Sequence, residues 1–178
     1  MELILQKDME IVLWIQENLR TPPLTAFLRT VTHLGDLGAV WIVLCVALLI
    51  FVKTRRSGIC ASVSLASAFF INDVILKNIF ERLRPFEAAE TVRELIDHPG
   101  GASFPSGHTA AAFAAAMALV FSRAPRYISI PALVLAALIA FSRLYLGVHY
   151  LTDIIIGAAV GTAVAAAAVA AVKRLKKD

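Results

Sequence analysis

The chain has 178 residues, 59% of them hydrophobic, and a mean hydropathy of +0.77. Soluble domains carry roughly 45–50% apolar residues, so an ordinary soluble protein is excluded and one helical membrane domain is expected. The formal charge of +4 does not require nucleic acid, because the basic residues cluster at the ends of apolar runs, where membrane topology accounts for them.

Glu2, Lys7, Asp8 and Glu10 precede any long apolar run, which does not fit a signal peptide; the first true span is expected to serve as the targeting signal. Over residues 1–20, Ile4, Leu5, Ile11, Val12, Ile15 and Leu19 share one helical arc on which Asp8 intrudes. Thr21-Pro22-Pro23 stops that helix, and Leu24 to Leu34 leads to the turn Gly35-Asp36-Leu37-Gly38. Residues 1–36 therefore read as an N-terminal amphipathic segment, interfacial or re-entrant, with a first crossing helix as the alternative.

Residues 37–178 read as the membrane domain, with candidate spans at 37–52, 57–76, 104–122, 127–142 and 150–172. The expected fold is an all-α polytopic bundle of five to six transmembrane helices. Basic clusters follow the first span (Lys53, Arg55, Arg56), separate the third from the fourth (Arg123, Arg126) and follow the fifth (Lys173, Arg174, Lys176, Lys177). The positive-inside rule places them in the cytoplasm and the opposite, polar ends outside. The chain is thus expected in the cell (inner) membrane with its site on the extracytoplasmic side. Residues 81–103 form a loop that either lids that site or is a solvated connector, the connector being the default. Gly157 and Gly161 have the spacing of close helix approach, inside the bundle or in a homo-oligomer.

Three motifs carry chemistry. Lys77 is separated by six residues from Arg84-Pro85; Pro105-Ser106-Gly107-His108 opens the third span; Arg143 is followed after five residues by His149 and after three more by Asp153. Lys77, Arg84 and Arg143 can neutralise a phosphate dianion, and Lys77 and Arg84, two helical turns apart, are expected to point the same way from the end of span two. Ser106 and Gly107 offer a helix N-terminus that favours an anion. His149, four residues before Asp153 on a helix, can present a free imidazole nitrogen to phosphorus, while His108 protonates the departing oxygen and then activates water. Three cations and a single carboxylate within the motifs argue against a metal site, and no cofactor is expected.

These motifs resemble the tripartite signature of the type 2 phosphatidic acid phosphatases, a superfamily of lipid phosphatases, over roughly residues 35–172. The resemblance implies a helical bundle and metal-independent phosphomonoester or diphosphate hydrolysis. It implies His149 as nucleophile, Asp153 as its orienting partner and His108 as acid/base, with Lys77, Arg84, Ser106, Gly107 and Arg143 as phosphate ligands. For a small chain it points to a bacterial undecaprenyl-diphosphatase or phosphatidylglycerophosphatase-like member, acting on a lipid phosphate held in the bilayer. Undecaprenyl diphosphate stands first, with phosphatidylglycerophosphate, phosphatidic acid and a lipid A phosphate as alternatives. A lipid-diphosphate carrier or scaffold, and less readily a vanadate-dependent oxidase, would use a similar pocket.

The remaining residues have simpler readings. His33 and His98 sit in turns, at the surface or interface. Asp73, one turn before Lys77, is read as structural, paired with that lysine or with the neighbours of Asn72. Trp14 and Trp41 read as interface anchors or lipid-facing bulk, and Tyr145 and Tyr150 as packing, or as the lining of a path for lipid. Cys45 and Cys60 fall in apolar segments as small buried hydrophobes.

Overall fold

The computed structural model describes residues 2–175, whose regular elements are all helices, without strands. Lys176 and Lys177 lie outside the described residues. Helix α1 (Glu2–Asn18) ends just before two prolines that occupy the first turn of α2 (Pro22–Leu34), where a missing N–H costs nothing. A single 3-10 turn, Asp36–Gly38, with Leu37 and Gly38 in the left-handed region, bends the chain into α3 (Ala39–Ile50). Helix α4 (Arg55–Phe69) runs on through a π-helical stretch, Phe70–Leu76, into the short α5 (Lys77–Phe80). After α6 (Pro85–Ala88) and an irregular segment come α7 (Gly107–Phe121), α8 (Arg126–Tyr145) and α9 (Leu151–Arg174).

Helix α7 is the axis of the bundle, packed against α4, α8 and α9. Its alanines at 110, 112, 114, 115, 116 and 118 are buried, so neighbouring backbones approach closely. Gly157 and Gly161 of α9 complete that contact: a Cβ on Gly161 would lie 2.3 Å from the Ala110 carbonyl oxygen, and one on Gly157 2.8 Å from that of Ser106. The face carrying these glycines is therefore filled by α7 of the same chain and is not free for the homo-oligomer contact considered from the sequence.

Among the described residues, three helical runs suffice by length and composition to cross a bilayer: Arg55–Ala88, Arg126–Tyr145 and Leu151–Arg174. Helices α2 and α3 qualify only as one span bent by 49°. The expected separate crossing at 37–52 is thus shortened to the 12 residues of α3, about 18 Å at 1.5 Å per residue. Helix α7, with 15 residues, is also short, and its N-terminus marks the depth of the polar site.

The N-terminal segment does not lie apart from the bundle. Val12 and Ile15 of α1 and Leu28 of α2 bury themselves with Val92, Leu144, Tyr145 and Leu146. Asp8, which interrupts the apolar arc in the sequence, is only 2% exposed and is fully partnered. Trp41 is not a lipid-facing anchor but a core residue beside Cys45 and Leu48 on the inner face of α3; Trp14 is exposed. Tyr145 is buried and its hydroxyl meets Thr25 Oγ1 at 2.9 Å, while Tyr150 packs under the Arg82 guanidinium, 3.8 Å from its ring centre. Both tyrosines serve packing.

Candidate active site

One open cavity of about 650 Å³ lies at the end of the bundle where α4–α5, α7 and the α8–α9 turn meet. Lys77, Arg84, Gly107, His108, Arg143 and His149 line it, so six of the eight residues singled out in the sequence converge there. The other two stand behind the wall. Asp153 is fully buried, and Ser106, also buried, accepts a hydrogen bond from Thr109 Oγ1 at 3.1 Å. The Ser106 amide donates to the Asp153 carbonyl oxygen at 3.1 Å, tying the start of α7 to the first turn of α9.

Lys77 and Arg84 do not project from one helix face. The helix ends at Phe80, and Glu81 takes a left-handed conformation (φ 35°) that turns the chain, so Arg84 reaches the cavity from a different direction. Lys77 is paired with Asp73 at 2.5 Å, one of the two roles read for that aspartate. A Cβ on Gly107 would sit 2.8 Å from Asp73 Oδ1 and 3.3 Å from Lys77 Nζ; only glycine lets this pair pass so close to the α7 backbone.

Arg84 and Arg143 are each 2% exposed. Arg84 donates to the carbonyls of Gly100, Gly101 and Val148 at 2.9–3.1 Å. Arg143 donates to Thr32 Oγ1 at 2.8 Å, and its Nε has no partner. Among the described residues neither guanidinium has a carboxylate within salt-bridge distance. Two buried cations without counter-charges, facing one cavity, constitute a site with a strong demand for an anion.

His149 lies in the turn before α9. Its Nδ1 faces Asp153 Oδ2 at 3.3 Å, and its Nε2 faces the cavity with Arg84 Nη1 at 3.3 Å. Burial pushes the imidazole well below its ordinary value, to about 3, with Arg143 and Arg84 acting in the same direction and Asp153 opposing them. The ring is therefore neutral, and its Nε2 lone pair, which accepts from Arg84 Nη1, is the one a nucleophile would use. Asp153 is held by more than the histidine: Ser103 Oγ donates at 2.5 Å and the Tyr150 amide at 2.9 Å to Oδ2, and Arg82 Nη1 at 2.7 Å to Oδ1. Arg82 also grips Asp8 Oδ2 at 2.7 Å, and Asp8 accepts from the Thr152 amide and hydroxyl.

His108, at the start of α7, places Nε2 2.9 Å from Asp36 Oδ1. His33 and His98 are largely exposed, as read from the sequence, yet His33 takes the other Asp36 oxygen at 2.8 Å. The segment 81–103 is not a solvated connector. Arg20 and Arg29 bond to the carbonyls of Arg93 and Leu95, the Leu95 amide bonds to the Leu146 carbonyl, and Pro99 and Gly100 line the cavity.

A family model described as the PAP2 superfamily matches residues 57–177. The chain belongs to the PAP2 superfamily. It is 34% identical over 123 residues to an undecaprenyl-diphosphatase of Sulfolobus acidocaldarius, covering 69% of this chain and 59% of that protein. The chain thus spans about three fifths of the length of that relative. It is also 34% identical over 146 residues to a decaprenylphosphoryl-5-phosphoribose phosphatase of Mycobacterium tuberculosis, covering 82% of this chain and 78% of the other. The crystal structure of a transmembrane PAP2 type phosphatidylglycerolphosphate phosphatase from Bacillus subtilis superposes with a TM-score of 0.77 over 99% of this chain and 88% of that one, at 27% identity. Together with the apolar helices, this makes the PAP2 chain a membrane protein.

The part of the PAP2 chain outside the matched region is not idle. Asp8, Thr32 and Asp36 precede residue 57, yet the structure brings them to Arg82, Arg143 and His108. These contacts, and that of Ser103 with Asp153, escape motif reading because each joins segments distant in sequence. One signal was present: an acid in the middle of an apolar arc, as Asp8 is, needs a buried partner.

Proposed function

We propose that this chain is an integral membrane lipid phosphatase. The observation that carries this reading is the pair of buried, carboxylate-free guanidiniums, Arg84 and Arg143, at the polar head of an otherwise apolar cavity. From that head the cavity continues along Ile42, Cys45 and Val46 of α3 and Leu65, Ala66 and Phe69 of α4. A phosphate with a hydrocarbon tail matches both halves.

In the proposed reaction the phosphoryl group sits between Arg84, Arg143 and Lys77 at the N-terminus of α7. The Nε2 lone pair of His149 attacks phosphorus while the bond to the lipid-side oxygen breaks, and His108 gives that oxygen a proton. Asp153 stabilises the positive charge that develops on His149. Water, deprotonated by His108, then attacks the phosphohistidine, releasing phosphate and restoring both imidazoles. Every step uses side chains alone, without a metal or cofactor.

Undecaprenyl diphosphate, cleaved to undecaprenyl phosphate and phosphate, is the substrate favoured here, in keeping with the name of the Sulfolobus relative. Phosphatidylglycerophosphate, phosphatidic acid and lipid A phosphates are the alternatives, since the charged head recognises the phosphate they share. The basic helix ends lie opposite the site, where Lys173 reaches the Phe121 carbonyl, which supports an extracytoplasmic active site in the inner membrane. A carrier or scaffold would need the arginines but not a neutral histidine held by a carboxylate.

The test is phosphate release by the purified protein in detergent with chelator present, across these four lipids, with His149→Ala alongside. A preference abolished in the variant establishes the enzyme and its substrate. Binding without release would favour the carrier, and a strong chelator effect would count against the metal-free route.

A further inference from the structure

The acid/base histidine of the proposed reaction has a carboxylate of its own, contributed by the N-terminal segment. Asp36 lies in the turn between α2 and α3, and its two oxygens lie between two imidazoles: Oδ1 at 2.9 Å from His108 Nε2 and Oδ2 at 2.8 Å from His33 Nδ1. The turn is fitted closely to His108, since a Cβ on Gly35 would lie 2.9 Å from the His108 ring carbon Cδ2 and 3.3 Å from Ile139. With Nε2 committed to Asp36, Nδ1 of His108 is the nitrogen with no hydrogen-bond partner among the described residues, and His108 lines the cavity.

We propose that Asp36 is the positioning residue for His108. It accepts the Nε2 proton, fixes the ring and its tautomer, and stabilises the imidazolium that must exist before leaving-group departure. Nδ1–H then gives its proton to the lipid-side oxygen as the phosphorus–oxygen bond breaks, and the neutral Nδ1 takes a proton from the water that cleaves the phosphohistidine. Each histidine of the site thus has its own carboxylate: His149 has Asp153 from within the family region, and His108 has Asp36 from outside it. His33 steadies Asp36 from its exposed side.

The inference rests on the phosphatase reading and is tested by leaving-group dependence. Pre-steady-state release is measured for the preferred lipid phosphate, whose leaving oxygen needs a proton, and for 4-nitrophenyl phosphate, whose phenolate departs without one. Asp36→Asn is expected to slow release of the lipid product about tenfold or more and to leave the nitrophenolate burst within about twofold. Asp36→Glu should recover much of the lost rate. Asp36 is half exposed, so the variants should fold, which their unfolding midpoints in detergent will check. Equal slowing on both substrates, or full activity on the lipid, would overturn the assignment while leaving the phosphatase reading intact. A wild-type protein inactive on both would overturn the two together.

Discussion

Ser103 Oγ stands 2.5 Å from Asp153 Oδ2, closer to that oxygen than His149 Nδ1 at 3.3 Å. The serine therefore helps to fix where the carboxylate points, beside Arg82 and the Tyr150 amide, and through it where the imidazole points. Hydrogen bonds to charged groups contribute about 1.5–3 kcal/mol. Ser103→Ala should lower kcat by about tenfold to a hundredfold with KM little changed, measured on the preferred lipid. Unchanged kcat would show that Arg82 and the Tyr150 amide suffice to hold Asp153.

Asp153→Asn keeps the shape of the site but removes the charge that, in the proposed reaction, stabilises His149 once phosphorylated. A loss of about two to four orders of magnitude in kcat is expected, by analogy with other oriented histidines. His149→Ala should abolish turnover. Folding of both is checked by their unfolding midpoints, and near-normal turnover in His149→Ala would remove it as the nucleophile.

Arg82 bridges Asp8 and Asp153 at 2.7 Å each, joining α1 to α9 across buried ground. Arg82→Met leaves both carboxylates without their cation and should cost about 3–5 kcal/mol of stability. Asp8→Asn should cost less, because Thr152 remains as a partner. In a double-mutant cycle followed by denaturant unfolding in detergent, the combined loss should fall short of the sum. Strict additivity would mean that the two side chains do not couple.

The neutral state of His149 has a consequence for pH. Its value in the folded protein lies near 3, below the ordinary 6.5, chiefly through burial. The unfolded chain therefore binds a proton that the folded chain refuses. The sign follows: this contribution is fully present above about pH 6.5 and is lost progressively as pH falls towards 3. The slope is about 1.4 kcal/mol per pH unit for one proton. Plotting the unfolding midpoint against pH, His149→Gln should flatten the acid side relative to wild type, and parallel curves would argue that His149 titrates alike in both states.

Gly161 has no room for a side chain, with the Ala110 carbonyl 2.3 Å from the position of an added Cβ. Gly161→Ala should destabilise by about 1–3 kcal/mol through overpacking. Because the contact is internal, the protein's mass in detergent should stay as it was. A change of oligomeric state would mean that this face also serves a second copy.

The sequence by itself determined the class of protein and the residues of the motifs. Hydropathy reports burial in lipid, and ionisable residues at the ends of apolar runs are too costly to be incidental, so Lys77, Arg84, His108, Arg143, His149 and Asp153 could be picked out in one dimension. The tertiary structure decided what holds them. A left-handed residue at Glu81, rather than helical periodicity, directs Arg84; Trp41 packs into the core beside Cys45 and Leu48; Gly157 and Gly161 meet α7. Asp8, Thr32, Asp36 and Ser103 reach the site across separations of 50 to 144 residues. Hydrogen bonds of that kind leave no period or spacing in a sequence. They exist only once the bundle has closed and brought distant segments together.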